Sequence, residues 1–441
     1  MAHDYPRIIT PPPGPKAQAI VERDLRYTST CYLKEYPLVI ARGEGAMVED
    51  VDGNRYLDMM AGIAVSSTGY NHPVVVKAIQ EQAGRFLHIC GSDFYFEGMA
   101  ALAERLARIA PGKSPKKVFL TNSGTEAVEG AIKLARYATG RPGLLAFKGS
   151  FHGRTTGALA ITSSKARQRA GMGPFFPGVH HVPFGNCYRC EYDKHFPACG
   201  LYCVEQIERD LFGRHVDPKE IAAVFVEPIQ GEGGYVVPPP GWLPAIRELC
   251  DRHGILLVAD EVQSGVGRTG KMWACDHFGV EPDILLTAKG LGSGMPIGAF
   301  VAKESVTTWK KGAHGSTFGG NPVCVASALA TLDLVEGGLM ENARLMGDRL
   351  IAGVRRLAEK HQVIGDVRGL GLMIGLEFVT DRATREPNPH VVEALVLGAF
   401  QRGLLLLGAG PSALRLAPPL VVDAEDVDAG LGIIDEVLSA A

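Results

Sequence analysis

The chain lacks an excess of either charge. It has 45 basic and 48 acidic residues among 441, which gives a formal net charge of −3. This balance excludes the basic tracts typical of nucleic-acid binding and the acidic tails of interaction proteins. We therefore expect its partners to be small molecules or a second copy of the chain, and not nucleic acid.

The sequence also lacks an apolar run that approaches the roughly 20 residues of a membrane span. Its first residues, Met1 to Pro6, do not have the charged-then-apolar layout of a secretory signal. From these two absences we predict that the protein does not associate with a membrane and that its location is cytoplasmic.

Cysteine is too sparse for a disulfide scaffold, because the chain has nine cysteines and an odd number cannot all pair. Four of them lie close together, at Cys187, Cys190, Cys199 and Cys203. Their spacing is compatible with a tetrahedral zinc site or with two disulfides, but it is looser than the spacing in zinc ribbons. We predict free thiols packed in a loop and no metal site, with zinc as the alternative.

Apolar residues are abundant enough for a large core, since they make up 46% of the chain against 21% charged residues. Between about residues 76 and 320, helical stretches alternate with short β-rich runs that are apolar on both faces. This alternation predicts an α/β fold with a mainly parallel central sheet and helices on both faces. The runs are 118–120, 144–147, 223–226, 255–258, 284–286 and 298–301.

The amino-terminal part has a different pattern. Its prolines at 11–13 and 15 predict an irregular arm over the first forty residues. Asp52 and Gly53 are turn residues, and they predict a hairpin over 45–58.

The carboxyl-terminal part changes again after Gly320, where helical periodicity precedes strand-like stretches at 372–378 and 414–417. This order predicts a smaller α+β domain. We divide the chain into three parts: an amino-terminal arm and segment that packs with the small domain (1–75), a large domain (76–325) and the small carboxyl-terminal domain (326–441).

Three ionisable residues follow strand-like runs: Glu227, Asp260 and Lys289. The carboxyl ends of parallel strands share one edge of a sheet, where ligands gather, so we expect these side chains to meet. An ammonium and a carboxylate placed there suit an enzyme that ties a carbonyl cofactor to a lysine and keeps a pyridine nitrogen protonated. That is the chemistry of pyridoxal 5′-phosphate, which we predict as the cofactor.

Three turns are further candidates for binding. Thr121 to Ala127 precedes a helix over 127–137, and its free N–H groups suit a phosphate, although an ordinary helix cap has the same pattern. Phe151 to Thr155 offers a ring that can stack on a cofactor and an arginine that can bind a carboxylate. A core phenylalanine and a surface ion pair are the alternative there. Glu227 to Gly234 is a glycine-rich loop with two carboxylates.

Together these motifs are specific, and the sequence resembles the class III pyridoxal-phosphate aminotransferases, the group of ornithine, acetylornithine and 4-aminobutyrate aminotransferases. The resemblance runs from about Gly45 to the carboxyl terminus, and the chain departs from the simplest family pattern at the cysteine-containing insert, about 184–216. The matching positions are 45–72, 123–125, 151–154, 227–234, 260–263, 289, 314–322 and 415–419, together with the spacing of Asp260, Gly265, Gly270, Asp283 and Lys289.

The resemblance implies a fold-type I transferase with roles for individual residues. Lys289 would form an aldimine with the cofactor and move a proton during catalysis, and Asp260 would pair with the pyridinium nitrogen. Phe151 and Val262 would cover the two faces of the ring, while Gln263 would bond its phenolic oxygen.

The resemblance also implies how the phosphate is held. Ser123, Gly124 and Thr125 would form the cradle, and Thr317 would reach in from the second subunit. A homodimer with shared active sites is therefore expected, and whether dimers pair into tetramers stays open. The other predicted cofactor-binding residues are His152 and Glu227.

Two arginines would recognise carboxylates in such an enzyme. Arg154 would bind the carboxylate remote from the reacting amine, and Arg415 the α-carboxylate of the keto acid. Glu232 would cover Arg415 while an ω-amino donor is processed, because an unpaired buried arginine is costly. The resemblance thus favours amino transfer from 4-aminobutyrate or an ornithine-like donor to 2-oxoglutarate by a ping-pong mechanism. A racemase or epimerase of the same family is the alternative.

Overall fold

The computed structural model describes residues 6–440. Its strands are β1 (Ile40–Glu44), β2 (Met47–Asp50), β3 (Arg55–Asp58), β4 (Lys116–Thr121), β5 (Gly143–Phe147), β6 (Val179–Val182), β7 (Ile221–Val226), β8 (Leu256–Asp260), β9 (Ile284–Thr287), β10 (Gly298–Lys303), β11 (Ile364–Leu370), β12 (Met373–Phe378), β13 (Leu404–Leu405), β14 (Leu407–Ala409) and β15 (Ala413–Leu416). These strands form one sheet of seven and two sheets of four.

The α-helices are α1 (Pro15–Tyr27), α2 (Ala61–Ala64), α3 (Pro73–Ala83), α4 (Glu97–Ile109), α5 (Gly124–Thr139), α6 (Thr156–Ile161), α7 (Tyr202–Gln206), α8 (Trp242–His253), α9 (Cys275–Phe278), α10 (Pro322–Leu334), α11 (Met340–Lys360), α12 (Pro389–Phe400) and α13 (Ala424–Ala440). Two π-helical segments, Ile207–His215 and Val335–Leu339, and 3₁₀ turns at Ala166–Gln168, Pro218–Glu220 and Lys289–Leu291 complete the helical elements.

The seven-stranded sheet has the order β4-β10-β9-β8-β7-β5-β6. Strands β9, β8, β7, β5 and β6 are parallel to one another, and β10 is antiparallel to both β9 and β4. The fold is therefore the mainly parallel α/β sheet that the sequence predicts, and all six predicted runs are strands. The sequence did not reveal β6, a four-residue edge strand, because its Val-His-His-Val pattern is only half buried.

The central strands are buried along their whole length, since every residue of β5, β7 and β9 is buried. Such strands read as continuous apolar runs because both faces of the sheet are covered by helices. Strands β7, β8 and β9 lie side by side and point the same way. Their carboxyl ends therefore carry Glu227, Asp260 and Lys289 to one edge of the sheet.

The amino-terminal sheet contains the predicted hairpin, formed by β2 and β3. Its order is β1-β2-β3-β13, and the last strand comes from far along the chain: Leu404 pairs with Leu57 in parallel. The carboxyl-terminal sheet, β11-β12-β15-β14, is antiparallel throughout and packs with α11 and α12, as expected for a small α+β unit. The domain limits at 75 and 325 stay a prediction.

The amino-terminal arm is not irregular throughout, which corrects the sequence prediction. Helix α1 begins at Pro15, a position where proline costs no hydrogen bond. The carboxylate of Asp52 accepts hydrogen bonds from the N–H groups of Lys16 (3.0 Å) and Ala17 (2.9 Å). The helix start is thus capped by a residue distant in sequence, which local patterns cannot show.

One continuous helical segment, Pro322–Lys360, is long and apolar enough to cross a membrane by length and composition. This corrects the expectation that no stretch approaches that length. Its first part, α10, packs against α3 and α4 and buries Val323, Val325 and Leu332. A helix at the centre of a folded core passes the same test, and α10 has that position.

Candidate active site

A cavity of about 410 Å³ opens at the carboxyl ends of the central parallel strands. It contains eleven of the fourteen residues that the sequence predicts for the site. Those lining it are Ser123, Gly124, Thr125, Phe151, His152, Arg154, Glu227, Asp260, Val262, Gln263 and Lys289. Glu232 and Arg415 lie beside the cavity, while Thr317 is exposed and does not line it.

Lys289 is the buried amine of this cavity. It follows β9 with a positive φ of 44°, an uncommon backbone conformation for a residue with a side chain. Burial lowers the pKa of Lys289 to about 8, and the positive charge of Arg415 acts in the same direction. The carboxylates of Asp260 and Glu227 oppose the shift. The result is an amine of which a sizeable fraction is neutral, and hence nucleophilic, near physiological pH.

Asp260 and His152 form a buried hydrogen-bonded pair. The His152 Nδ1 atom lies 2.7 Å from Oδ2 of Asp260, and Oδ1 of Asp260 accepts the N–H of Val262 at 3.1 Å. Burial disfavours the charged form of His152, but its hydrogen bond to Asp260 and the charge of Asp260 outweigh burial and raise the pKa of His152. Both oxygens of Asp260 are thus oriented from the protein side, so the carboxylate has one fixed direction.

Glu227 ties two loops of the site together. Its Oε2 accepts the N–H of Phe151 at 3.0 Å, and its Oε1 accepts the N–H of Gly231 at 2.9 Å. Burial raises its pKa to about 7, although the charge of His152 and these two hydrogen bonds lower it. Glu227 therefore fixes where Phe151 and the glycine-rich loop stand relative to the cavity.

The amino terminus of α5 forms part of the cavity wall, through Ser123, Gly124 and Thr125. The helix begins at Gly124, earlier than the predicted Ala127, and Ser123 caps it by accepting the N–H of Glu126 at 3.4 Å. The first N–H groups of a helix have no partner within the helix, so they can bind an anion. A Cβ atom on Gly124 would lie 2.8 Å from Val262, so only glycine lets these two walls approach so closely.

Gln263 is oriented by Tyr235, a buried residue that sequence reasoning missed. The Tyr235 hydroxyl donates to the amide oxygen of Gln263 at 2.8 Å. This bond fixes the orientation of the Gln263 amide at the cavity that Gln263 lines. Tyr235 directly follows the glycine-rich loop, and that position is the one signal in the sequence that pointed to it.

Glu232 is shared by two cations. Its Oε2 lies 3.1 Å from Nη1 of Arg415, and its Oε1 lies 2.8 Å from Nζ of Lys165. Burial raises the pKa of Glu232, but the charge of Arg415 and then that of Lys165 outweigh burial and lower it. The predicted pair of Glu232 and Arg415 is present, and Lys165 is a third member that no sequence pattern indicated.

Comparison with known proteins agrees with this geometry. The family model described as aminotransferase class-III matches residues 31–438. The chain belongs to the class-III aminotransferases.

The chain is 40% identical to a 4-aminobutyrate aminotransferase of Mycobacterium tuberculosis over 441 residues, 98% of each chain. It is also 38% identical to an alanine/serine racemase of Pyrococcus horikoshii over 444 residues, 99% of this chain and 93% of the racemase. Among solved structures, a PLP-bound amine transaminase from an uncultivated Pseudomonas species matches with a TM-score of 0.86 and 32% identity, covering 94% of this chain and 97% of that one. The fold is thus that of the fold-type I transaminases.

This class-III aminotransferase is a pyridoxal-phosphate enzyme, and its own residues fit that cofactor. Lys289 would supply the amine that holds it, and Asp260 a carboxylate for its pyridine nitrogen. The α5 amino terminus would supply N–H groups for its phosphate. Gly153 would place a Cβ atom 2.2 Å from Oγ1 of Thr125, so the backbone is already as close to this anion cradle as packing permits.

Arg154 and Thr317 are both exposed, but only Arg154 lines the cavity of this aminotransferase. Arg154 is exposed at the cavity, with its guanidinium 5.7 Å from the ring centre of Phe151. Thr317 lies on an exposed segment next to Phe318, whose ring centre is 5.0 Å from that of His88. The structure of one subunit therefore brings Arg154 to the site and leaves Thr317 outside it.

The insert of the aminotransferase gathers Cys187, Cys190, Cys199 and Cys203 around one small cavity. All four are free thiols. Within residues 6–440, no group of three or more His, Cys, Asp or Glu side chains is placed to hold a metal ion. Burial and the neighbouring thiols raise the pKa of Cys187 to about 11, which keeps this thiol protonated at neutral pH.

Proposed function

We propose that this enzyme transfers the amino group of an ω-amino acid, such as 4-aminobutyrate or an ornithine-like diamine, to 2-oxoglutarate in a ping-pong cycle. The observation that carries the proposal is the contact between Glu232 and Arg415, 3.1 Å apart, beside the buried amine of Lys289. A donor that lacks an α-carboxylate would leave Arg415 unpaired, and Glu232 then covers it. An acceptor with an α-carboxylate takes Arg415 in its place.

Each side chain has a defined task in this proposal. The bound cofactor supplies an electron sink that stabilises the negative charge on the substrate carbon. Asp260, held by His152, keeps a negative charge at the pyridine nitrogen. Lys289 holds the cofactor between cycles and carries the proton away from the carbon that bears the amine. Arg154 binds the carboxylate at the far end of either substrate.

A panel of amino donors with 2-oxoglutarate and with pyruvate tests this proposal, with glutamate and alanine as readouts. We expect 4-aminobutyrate with 2-oxoglutarate to give the highest kcat/KM. Butylamine, in which a methyl group replaces the carboxylate of 4-aminobutyrate, is the matched control and should be a poor donor. Equal rates for the two amines would contradict the role of the carboxylate sites.

Arg154 can be tested with the same two amines. Arg154→Ala should raise the KM for 4-aminobutyrate by about tenfold or more, since it removes a charge-assisted hydrogen bond. The KM for butylamine should change little. Equal losses for both amines would count against the assigned role.

Racemisation is the second candidate, favoured by the similarity to the Pyrococcus horikoshii racemase. Its cofactor residues would be the same, but a racemase of neutral amino acids has no use for two carboxylate-binding arginines. Incubation of the enzyme with one L-amino acid and no keto acid separates the two activities. Formation of the D-enantiomer at a rate comparable to transamination would favour the racemase.

We further propose a homodimer in which Thr317 reaches the partner's phosphate cradle. The segment that carries Thr317 lies beside a group of exposed apolar side chains, an unusual arrangement for a free surface. Asn321 joins the two segments by donating to the carbonyl of Leu87 at 3.0 Å. The exposed side chains are Leu87, Phe94, Tyr95 and Phe318.

Subunit mixing tests the shared site. Thr317→Glu would place a negative charge against a phosphate, and Lys289→Ala removes the amine, so each homodimer should be nearly inactive. A mixed dimer of the two variants keeps one intact site if Thr317 acts across the interface, and mixing should restore part of the activity. No recovery in mixtures that form heterodimers would contradict the shared site. The oligomeric state itself is read by light scattering. A cytoplasmic location stays a prediction.

A further inference from the structure

The carboxylate of Glu232 has a separate cation for each oxygen. Lys165 lies at the start of the Ala166–Gln168 turn and contacts Oε1 at 2.8 Å, and Arg415 contacts Oε2 at 3.1 Å. The Lys165 side chain is 24% exposed and that of Arg415 is 7% exposed. Lys165 therefore contacts the carboxylate from the more solvent-exposed side, and Arg415 contacts it from the buried side.

The backbone around Glu232 is fixed. Its carbonyl oxygen accepts the N–H of Gly410 at 2.7 Å. Two residues further on, the carbonyl of Gly234 accepts Nη2 of Arg368 at 2.7 Å, and the same Arg368 atom donates to Glu377 at 2.6 Å. The loop is thus tied to the carboxyl-terminal sheet at two points. Glu232 can leave Arg415 by rotating its side chain, without a movement of the loop.

Once Arg415 binds a substrate carboxylate, Glu232 has to stay charged in a mostly buried place without that partner. An unpaired buried carboxylate is strongly unfavourable, whereas a paired one is tolerated. Lys165 contacts the oxygen that faces away from Arg415, so this contact can persist while the other is broken.

We propose that Lys165 is a positioning residue that keeps Glu232 paired when Arg415 is released, and that it thereby favours acceptors whose carboxylate binds Arg415. This inference rests on the proposed function, because it concerns the same exchange between Glu232 and a substrate carboxylate. Lys165 acts through Glu232 and does not touch the substrate. Its removal penalises ligands that need a free Arg415 and spares ligands that do not.

The test uses the holoenzyme with Lys165→Met, which keeps the length of the side chain and removes its charge. We expect the KM for 2-oxoglutarate to rise about tenfold, the effect of losing a hydrogen bond between charged groups, with kcat changed by less than about twofold. Equilibrium binding of glutarate, an unreactive dicarboxylate, should weaken by the same factor. Binding of butyrate, its monocarboxylate counterpart, should not change.

Two further variants locate the effect. In a Glu232→Gln background Arg415 is always uncovered, so adding Lys165→Met should no longer weaken glutarate binding. Lys165→Arg should restore most of the affinity in the enzyme that retains Glu232. Lys148→Met is the matched control, since Lys148 pairs with Glu191 at the surface, and it should behave like the parent.

Several outcomes overturn the inference. If Lys165→Met weakened the binding of glutarate and butyrate equally, or changed neither, Lys165 would have no link to Arg415. A loss of glutarate binding that persists in the Glu232→Gln background would mean that Lys165 contacts the ligand directly. These outcomes differ from failure of the proposed function, in which the parent enzyme itself would not transfer amino groups from ω-amino acids to 2-oxoglutarate.

Discussion

The site contains two groups of opposite charges with different origins. Asp260 ends strand β8 and is buried, and Lys289 follows strand β9 of the same sheet and is partly buried. Lys165, Glu232 and Arg415 come instead from a loop after α6, a loop after β7 and strand β15 of another sheet. The first group has one arrangement because the sheet imposes it. The second is assembled from separate parts, and under the proposed function its side chains exchange partners between two unlike substrates.

The sharpest test of this contrast is removal of the amine in the strand-end group. Lys289→Ala should lower kcat for every donor and acceptor by about a thousandfold or more, because no other lysine among residues 6–440 lines the cavity to move the proton. Rapid single-turnover kinetics with excess enzyme measures it. A fall in kcat confined to dicarboxylic substrates would contradict the distinction between the two groups.

The partner carboxylate should have the next largest effect. Asp260→Asn keeps the shape of the side chain but removes the charge that His152 supports, and we expect kcat to fall by about a hundredfold for all substrates. His152→Ala, which leaves Asp260 in place, should give a smaller loss in the same direction. Equal kcat for Asp260→Asn and the parent would contradict the role of this charge.

Arg415, in the second group, should affect one class of substrate. Arg415→Met should raise the KM for 2-oxoglutarate by about 10- to 100-fold, as expected for loss of a charged hydrogen bond, and should leave the KM for 4-aminobutyrate nearly unchanged. Steady-state kinetics of the complete reaction, with each substrate varied in turn, gives both KM values. A similar rise in KM for both substrates would show that Arg415 does not distinguish between them.

The smallest expected effect links the groups through the pKa of Lys289. Reconstitution of the apoenzyme with the cofactor needs the neutral amine, so its rate should rise as the pH increases through about 8. Arg415→Met removes a nearby positive charge, so it raises this pKa and moves the midpoint to higher pH. Glu232→Gln removes a negative charge and moves it to lower pH.

Absorbance of the bound cofactor follows the reconstitution rate as a function of pH. Lys148, which pairs with Glu191 at the surface, provides the control, and Lys148→Met should keep the parent midpoint. Shifts of Arg415→Met and Glu232→Gln in the same direction would contradict the electrostatic coupling.

The sequence predicts the strand-end group well because local chemistry determines it. Apolar runs that end in Asp260 or precede Lys289 identify buried parallel strands, and the carboxyl ends of such strands meet. The hydrogen bond from His152 to Asp260 does not follow from any local pattern, since it depends on the packing of β5 beside β7 and of β7 beside β8. The same holds for Tyr235 and its bond to Gln263.

Lys165 and helix α1 show why the rest could not be predicted. A lysine in a polar loop is usually solvated, and only the folded chain brings Lys165 to Glu232. Helix α1 begins after a proline-rich stretch, and its capping residue, Asp52, lies in a turn elsewhere. Both features arise from contacts between segments that are far apart in the sequence.

Pairing of β13 with β3 has a consequence for synthesis on the ribosome. The hairpin around Asp52 is translated long before the strand that completes its edge, Leu404–Leu405. Until then β3 presents unpaired backbone groups, the kind of edge that promotes aggregation. Nascent chains stalled before residue 404 should therefore depend on chaperones, and this dependence should fall once Leu404–Leu405 has left the ribosome and paired with β3.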